Sequence, residues 1–500
     1  MRIQPNPPDL DRLFTEPSLE RTVETHISRL YLCGDRVYKL KRAVQLPYVD
    51  FSTLAKRHEA ARQELALNRR TAPALYLGLR AVLRDGQGRL HMAPRDVEPG
   101  DAIEWLVEMR RFKDDATLDR QLAAGTLTPA LIEATAEAIA GFHATLPPLE
   151  DDALRAVRRV AAMNNESFAR LAPEVLPDSA VADLRQETEA ALSRLALPLA
   201  RRSAEGRVRH GHGDLHLRNI CLLDGKPVLF DCLEFDAALA RTDTAYDIAF
   251  LLMDLLAHNR VDLANRALNR YLEQSGDDGA LPLLPLYISL RAAIRAHVTG
   301  LQPKQWPEAR RYLALARRVL RPATPVLLAI GGRSGTGKTT LARALAPRFD
   351  AVCGAVVLRS DVLRKRLAGV APATRLSPES YTPQASMRVY AAMLEHARQL
   401  LTAGVPVILD AVFGKQSERE AAARLALHCN AVFRGLWLDG GTDLLCQRVA
   451  ARRGDASDAT PDVVRFQADV IEPPADWLHL NAEHGSGDLA AQAAARLNLD

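Results

Sequence analysis

The run Gly332-Arg333-Ser334-Gly335-Thr336-Gly337-Lys338-Thr339 follows a short apolar stretch, Val326–Ile330, and leads into a helical pattern over Thr339–Leu345. Few patterns restrict a fold more tightly. Glycines let backbone N–H groups close around a phosphate, and a helix starting on the loop adds a favourable dipole. Such a loop needs a strand before it and a helix after it. Further apolar runs at Val352–Leu358, Val405–Leu409 and Val432–Leu438 alternate with helical patterns. The region 325–500 is therefore expected to be α/β, with a parallel sheet covered on both faces.

In this context Gly332 to Thr340 would cradle nucleotide phosphates, with Lys338 reaching the β and γ groups and Thr339 touching Mg²⁺. Two strands are expected to end in carboxylates at the edge of the sheet where ligands bind. Asp361, after Val356-Val-Leu-Arg-Ser, is placed to take a proton from an acceptor hydroxyl, and Asp410, after Val407-Ile-Leu, to act on Mg²⁺. The run Gln447 to Arg453 suggests an arginine-bearing lid, with Arg448 and Arg452 as phosphate contacts, since guanidinium suits bidentate phosphate binding. Arg364-Lys365-Arg366 reads as surface charge.

A second polar signature lies upstream. His210-Gly-His-Gly-Asp-Leu-His-Leu-Arg-Asn219 places Asp214 five positions before Asn219, and Asp231 follows an apolar strand after twelve more. Phosphoryl transfer asks for positioning and charge neutralisation more than covalent chemistry. Asp214 is the candidate for orienting and deprotonating an acceptor hydroxyl. Asn219 and Asp231 supply hard oxygen donors suited to Mg²⁺. His212 and His216 are read as fixing the loop.

Such a site also needs a lysine on a strand and a glutamate on the next helix. Lys39 is the choice, with Lys41 a rival on the same strand face. Glu64 is preferred as partner because Glu59 would sit roughly 140° away around the helix. The strands Ile27–Leu32 and Arg36–Lys41 read as a hairpin around Cys33-Gly-Asp35. A helix is expected over Asp50–Arg70, capped by Ser52 or Asp50, then a strand over Leu75–Val82. Ile103–Met109 reads as a connector between lobes, and helices should fill Thr128–Ala200 and Thr244–Leu320.

The chain has 500 residues, too many for one core, and Arg321-Pro-Ala-Thr-Pro325 marks a composition break. Two domains are expected, 1–322 and 325–500. A formal charge of +4 and the lack of aromatic-rich basic stretches argue against nucleic acid as a partner. Six cysteines without metal spacing suggest free thiols in a reducing compartment. With no apolar leader and no membrane-length run, a cytoplasmic location and no membrane partner are expected.

Residues 20–320 resemble the aminoglycoside-phosphotransferase and choline-kinase branch of the protein-kinase-like fold. The shared motif is His-Gly-Asp-x-His-x-x-Asn at 212–219, with Asp231 in a Phe-Asp-x-x-Glu-Phe setting. The segment Asp243-x-x-x-Asp247-Ile-Ala-Phe-Leu resembles the helix that backs the site in that branch, with both aspartates structural. The Cys33-Gly-Asp35 hairpin is not a GxGxxG loop, so phosphate cover would be made differently. The region from 325 resembles gluconate kinase, zeta toxin and polynucleotide kinase. The whole order resembles a bacterial fusion of an aminoglycoside-phosphotransferase-like domain with an ATP-binding P-loop domain. The resemblance implies a bilobal α+β kinase-like fold, then an α/β P-loop fold, and ATP with Mg²⁺ at both. The leading expectation is a bifunctional phosphotransferase acting on hydroxyls of a small molecule. The alternatives are a regulatory ATP-binding protein in which one half gates the other, and a nucleic-acid end kinase. Neither the acceptor nor the oligomeric state is legible.

Overall fold

The structure, a computed structural model, describes residues 3–7, 9–14, 19–46, 49–171, 173–371, 374–452 and 456–499. The chain packs into two compact units, Met1–Glu166 with Leu199–Asp254, and Ser167–Pro198 with Leu255–Asp500.

The first unit is built on a six-stranded antiparallel sheet. Its strands run in the order Arg21–Glu24, Ser28–Cys33, Arg36–Lys41, Glu104–Arg110, Tyr76–Arg84 and Leu90–Met92. The expected hairpin is present, with Leu30 opposite Lys39 and Cys33 opposite Arg36. The helix Leu54–Asn68 follows, capped by the Thr53 hydroxyl, which accepts from the Lys56 N–H at 3.3 Å. The cap is thus neither Ser52 nor Asp50; Asp50 instead accepts from the Ser52 N–H in the turn before it. A core of Ala61, Leu65, Leu75, Leu79, Val107 and Met109 joins this helix to the sheet and to Cys221 and Leu223 of a small hairpin, Ile220–Leu223 with Lys226–Leu229.

The segment expected as a connector is a central strand. Glu104–Arg110 pairs with Arg36–Lys41 on one side and Tyr76–Arg84 on the other. Its two glutamates interrupt the apolar pattern of a buried strand. Glu104 is fully buried against Arg57 at 2.8 Å, and buried Glu108 meets Arg80 and Arg95 at 2.8 and 2.9 Å. Charge matching lets a strand carry ionised groups on faces that exclude water.

The second unit contains a five-stranded parallel sheet, ordered Val356–Arg359, Val407–Asp410, Val326–Gly332, Val432–Asp439 and Leu478–Asn481. The last strand went unanticipated: Leu478-His-Leu-Asn is short, and His479 interrupts its apolar run. Leu328 and Ile330 face a core shared with the helices Lys338–Leu345 and Ser486–Leu497. The strand period turns Leu327 and Ala329 to the opposite face. Gly435 leaves room for the indole of Trp477, which would lie 2.5 Å from an added Cβ.

The edge strand Val356–Arg359 is covered by the helix Val261–Ser275. Asn265 and Asn269, one turn apart, imitate a neighbouring strand. The Asn269 amide oxygen accepts from the Val357 N–H at 2.8 Å, and Asn265 donates to the carbonyls of Cys353 and Ala355 at 2.7 and 2.9 Å. An open strand edge would otherwise invite foreign pairing. Among the described residues no helix is long and apolar enough to cross a membrane.

Asn269→Ala strands the Val357 N–H in a buried setting. We expect a loss of about 1–3 kcal/mol, read as a lower urea midpoint for the transition of this unit.

Candidate functional sites

The first cluster depends on one buried carboxylate. Glu64 is fully buried and meets Lys39 through Oε1 and Lys41 through Oε2, each at 2.7 Å. Lys39 and Lys41 lie two apart on one strand, so both ammonium groups leave the same face. The two rivals therefore share the glutamate. Their second contacts separate them: Lys39 reaches Asp231 Oδ1 at 2.7 Å, whereas Lys41 pairs with Glu234. Burial opposes the charge on Lys39, but Asp231 and Glu64 outweigh it and hold its pKa well above the ordinary lysine value. Burial likewise opposes ionisation of Glu64, and Lys39 and Lys41 overcome this to bring it down to about 2.

The loop 210–219 is tied down from behind. Asp247, at the start of the helix Thr244–Ala257, accepts from the His212 and Gly213 N–H groups at 2.7 and 2.9 Å and meets His143 Nε2 at 3.2 Å. Burial disfavours its charge, but His143, with smaller help from His212, holds its pKa well below the carboxylate range. Two turns on, Asp254 accepts from the Leu217 N–H at 3.1 Å, and Asp243 is locked to Arg202 at 2.6 and 2.7 Å. Gly211 could not carry a side chain, since an added Cβ would lie 2.7 Å from Asp247 Oδ2.

Two cross-links tie the loop bearing Asp214 and Asn219 to the segment bearing Asp231. The Phe230 N–H donates to Asn219 O and the Leu233 N–H to His212 O, each at 2.9 Å. Asn219 Nδ2 bonds both the carbonyl and Oδ2 of Asp214 at 2.9 Å, so the amide fixes the carboxylate. His212 is buried and reaches Phe230 O at 2.9 Å, while His216 Nε2 lies 3.4 Å from Asp214 Oδ2. Asp231 adopts φ +62°, an uncommon conformation for a residue with a side chain, and its carboxylate is 41% exposed.

The second cluster sits at the carboxyl edge of the parallel sheet. Gly332 and Gly335 have φ of +139° and +89°, and a Cβ on either would lie within 2.8 Å of a backbone carbonyl, Leu438 O or Leu445 O. Thr339 Oγ1 donates to Asp410 Oδ2 at 2.6 Å. Lys338 Nζ rests on the carbonyls of Gly332 and Arg333, each at 2.9 Å. Arg333 is turned away from the loop, onto Thr442 Oγ1 at 3.1 Å and Gly440 O. Burial, then the neighbouring Asp410, raises the pKa of Asp361 at the head of the helix Ser360–Leu367. A carboxyl held back from ionising is suited to exchanging a proton.

Gly335, Thr336, Gly337 and Thr340 line a cavity of about 250 Å³ together with Arg448 and Arg452. Ala482, His484 and Ser486 complete its wall, and sequence reasoning missed all three. They follow the unanticipated strand, so no signal pointed to them. Arg453 lies outside the described residues. Lys365 is not surface charge: it is 1% exposed and bonded to Asp458 and Thr374 O. Asp458 also takes the Leu376 N–H at 3.0 Å and the Tyr381 hydroxyl at 2.5 Å. A partner 93 residues away cannot be read from a run of basic residues.

Glu64 links the first cluster to pH. Its folded pKa of about 2 lies below the ordinary 4.5, so its stabilising contribution is complete above pH 4.5 and is lost as pH falls toward 2. Over that window the urea midpoint of wild-type protein should fall more steeply than that of Glu64→Gln. At neutral pH the variant should be the less stable, because two lysines keep a neutral partner.

Residues 50–283 match the phosphotransferase enzyme family (APH), and residues 327–474 match an AAA domain family. Uncharacterized protein Rv2004c of Mycobacterium tuberculosis (strain H37Rv) is 34% identical over 467 residues, covering 91% of this chain and 90% of its own. Uncharacterized protein Mb2027c of Mycobacterium bovis gives the same figures. Among solved structures, a gluconokinase from Sinorhizobium meliloti is 20% identical, covering 35% of this chain and 93% of its own, with TM-score 0.27. The Mycobacterium tuberculosis APS kinase CysC is 17% identical, covering 36% and 98%, with TM-score 0.28. The chain belongs to the family of the two mycobacterial proteins, and in it a phosphotransferase (APH) domain is followed by a P-loop, kinase-like AAA domain.

Proposed function

We propose that this phosphotransferase is bifunctional and ATP-dependent, each half, 1–322 and 325–500, moving a γ-phosphoryl group to a hydroxyl of a small molecule. The observation that carries the reading is the 2.7 Å contact between Lys39 and Asp231, 192 residues apart. A lysine suited to nucleotide phosphates and a carboxylate suited to their metal meet at one point.

In the first half, Lys39, oriented by Glu64, would hold nucleotide phosphates. Asp214, held by Asn219, would orient the acceptor hydroxyl and take its proton. In the second half, the backbone from Gly332 to Thr340 and the Lys338 ammonium would bind the phosphates. Arg448 and Arg452 would close on them, and Asp361 would receive the acceptor's proton.

The donor sets fit magnesium. Asn219 and Asp231 would hold it in the first half, and Thr339 and Asp410 in the second, with nucleotide oxygens and water completing each shell. When bound, the ion neutralises charge on the phosphates. The 2.6 Å contact between Thr339 and Asp410 supports this pairing, since both oxygens already face one spot.

The experiment is to incubate the full chain with ATP, Mg²⁺ and a metabolite extract, then search by mass spectrometry for products heavier by roughly 80 Da per phosphoryl group. Asp214→Ala should cut one product about 10²–10⁴-fold. Lys338→Ala should remove a different product or leave a singly phosphorylated species to accumulate. If both variants form every product at the wild-type rate, the proposal fails.

A further inference from the structure

Three successive residues of the phosphate loop each touch a pair of helices that come much later in the chain. Arg333 donates through one guanidinium nitrogen to Thr442 Oγ1 at 3.1 Å and through another to Gly440 O. The Ser334 N–H donates to Oε1 of Gln467 at 2.7 Å. Gly335 comes so close to the helix Thr442–Ala451 that an added Cβ would lie 2.8 Å from Leu445 O and 3.1 Å from Val449 Cγ2. Gln467 belongs to the next helix, Pro461–Val470, which packs Val464 against Leu445 and Val449.

The helix Thr442–Ala451 carries Arg448, and Arg452 lies just past its end. Both line the 250 Å³ cavity with Gly335, Thr336, Gly337 and Thr340. Arg333 lines another cavity instead, of about 420 Å³, beside Asp439 and Glu483. Its guanidinium therefore serves the helix and not the phosphate side of the loop. Two bonds from one planar group, to the first helical residue and to the carbonyl two residues before it, fix both distance and direction at the helix start. The close approach at Gly335 fixes the helix again about one turn on. With loop and helix so joined, Arg448 is held at a set place relative to the loop.

We propose that Arg333 is a positioning residue of the second site: it seats the helix Thr442–Ala451 on the phosphate loop and so places Arg448 against the nucleotide's phosphates, without touching the nucleotide itself. This rests on the reading of the second site as a nucleotide pocket that Arg448 serves. An arginine within a phosphate loop invites the simpler expectation of direct contact. The two roles differ in what the side chain must supply. Direct contact needs positive charge near the phosphates. Seating the helix needs a fork that reaches Thr442 Oγ1 and Gly440 O together, which the compact ammonium of a lysine does not reproduce.

The test is calorimetric binding of a non-hydrolysable ATP analogue, with Mg²⁺, to the full chain. Binding lost in Lys338→Ala defines the share of the second site. In that share Arg448→Ala should cost about tenfold or more, the worth of a charged hydrogen bond. Arg333→Ala should cost at least about threefold in otherwise wild-type protein, and less than about twofold once Arg448 is already alanine, because a residue acting through another then has nothing left to place. Arg333→Lys should behave as Arg333→Ala. Thr442→Val, which removes no charge, should weaken binding in the same direction, and its loss should likewise vanish beside Arg448→Ala; it carries the test alone if Arg333→Ala does not fold. Affinity kept in Arg333→Lys, or a loss in Arg333→Ala of equal size with and without Arg448, shows direct action of the charge and overturns the inference while leaving the nucleotide pocket standing. Unchanged affinity in Arg333→Ala overturns it too. Unchanged binding in Arg448→Ala, or absence of any Lys338-dependent binding, overturns the reading of the pocket itself, and the inference with it.

Discussion

Glu64 holds two lysines with one buried carboxylate, and the first cluster takes its form from that arrangement. An isolated ionised carboxylate at that depth would protonate or be driven out to solvent. Two ammonium groups at 2.7 Å make the charge tolerable. They also fix the register of the helix Leu54–Asn68 over the strand Arg36–Lys41. Each lysine then spends its remaining capacity on the loop after Phe230, Lys39 on Asp231 and Lys41 on Glu234. A chain of alternating charges therefore runs from strand to helix to loop, and loss of Glu64 would take a carboxylate from two lysines at once.

The second cluster meets the same demand, the holding of negative phosphate, by other means. Its donors are mostly backbone N–H groups and a helix N-terminus, which need glycines and positive φ rather than many charged side chains. Its two carboxylates, Asp361 and Asp410, lie near each other. Thr339 and Asp410 share a hydrogen bond, and burial, with Asp410 nearby, makes Asp361 resist ionisation. The Lys338 ammonium and the Ser334 amide bond to protein oxygens, as polar groups shielded from water must.

Much of both clusters was legible because their chemistry is local in sequence. The spacing from Asp214 to Asn219 is set by one loop, and the phosphate loop is a single turn between a strand and a helix. Lys39 and Glu64 could be paired because strand and helix periods determine which side chains share a face. What stayed hidden depended on distant partners. The strand Glu104–Arg110 was read as a connector, and the arginines that let it carry Glu104 and Glu108 inside, Arg57, Arg80 and Arg95, lie on other segments. Lys365 looked like surface charge until Asp458 met it. The strand Leu478–Asn481 was too short to announce itself, and the cavity wall at Ala482, His484 and Ser486 was lost with it.

The sequence by itself determined the kind of chemistry, since hydrogen-bonding capacity, charge and glycine freedom belong to the residues and their near neighbours. It determined the α/β alternation of the second half for the same reason: periodicity is a local property. Tertiary structure alone decided which charges are buried, that Asp231 meets Lys39 across 192 residues, and that Gln467 reaches the phosphate loop across 133. Burial and long-range pairing depend on how faces of distant segments are brought together. The energy of an ion or a hydrogen bond is set by the water that this assembly removes.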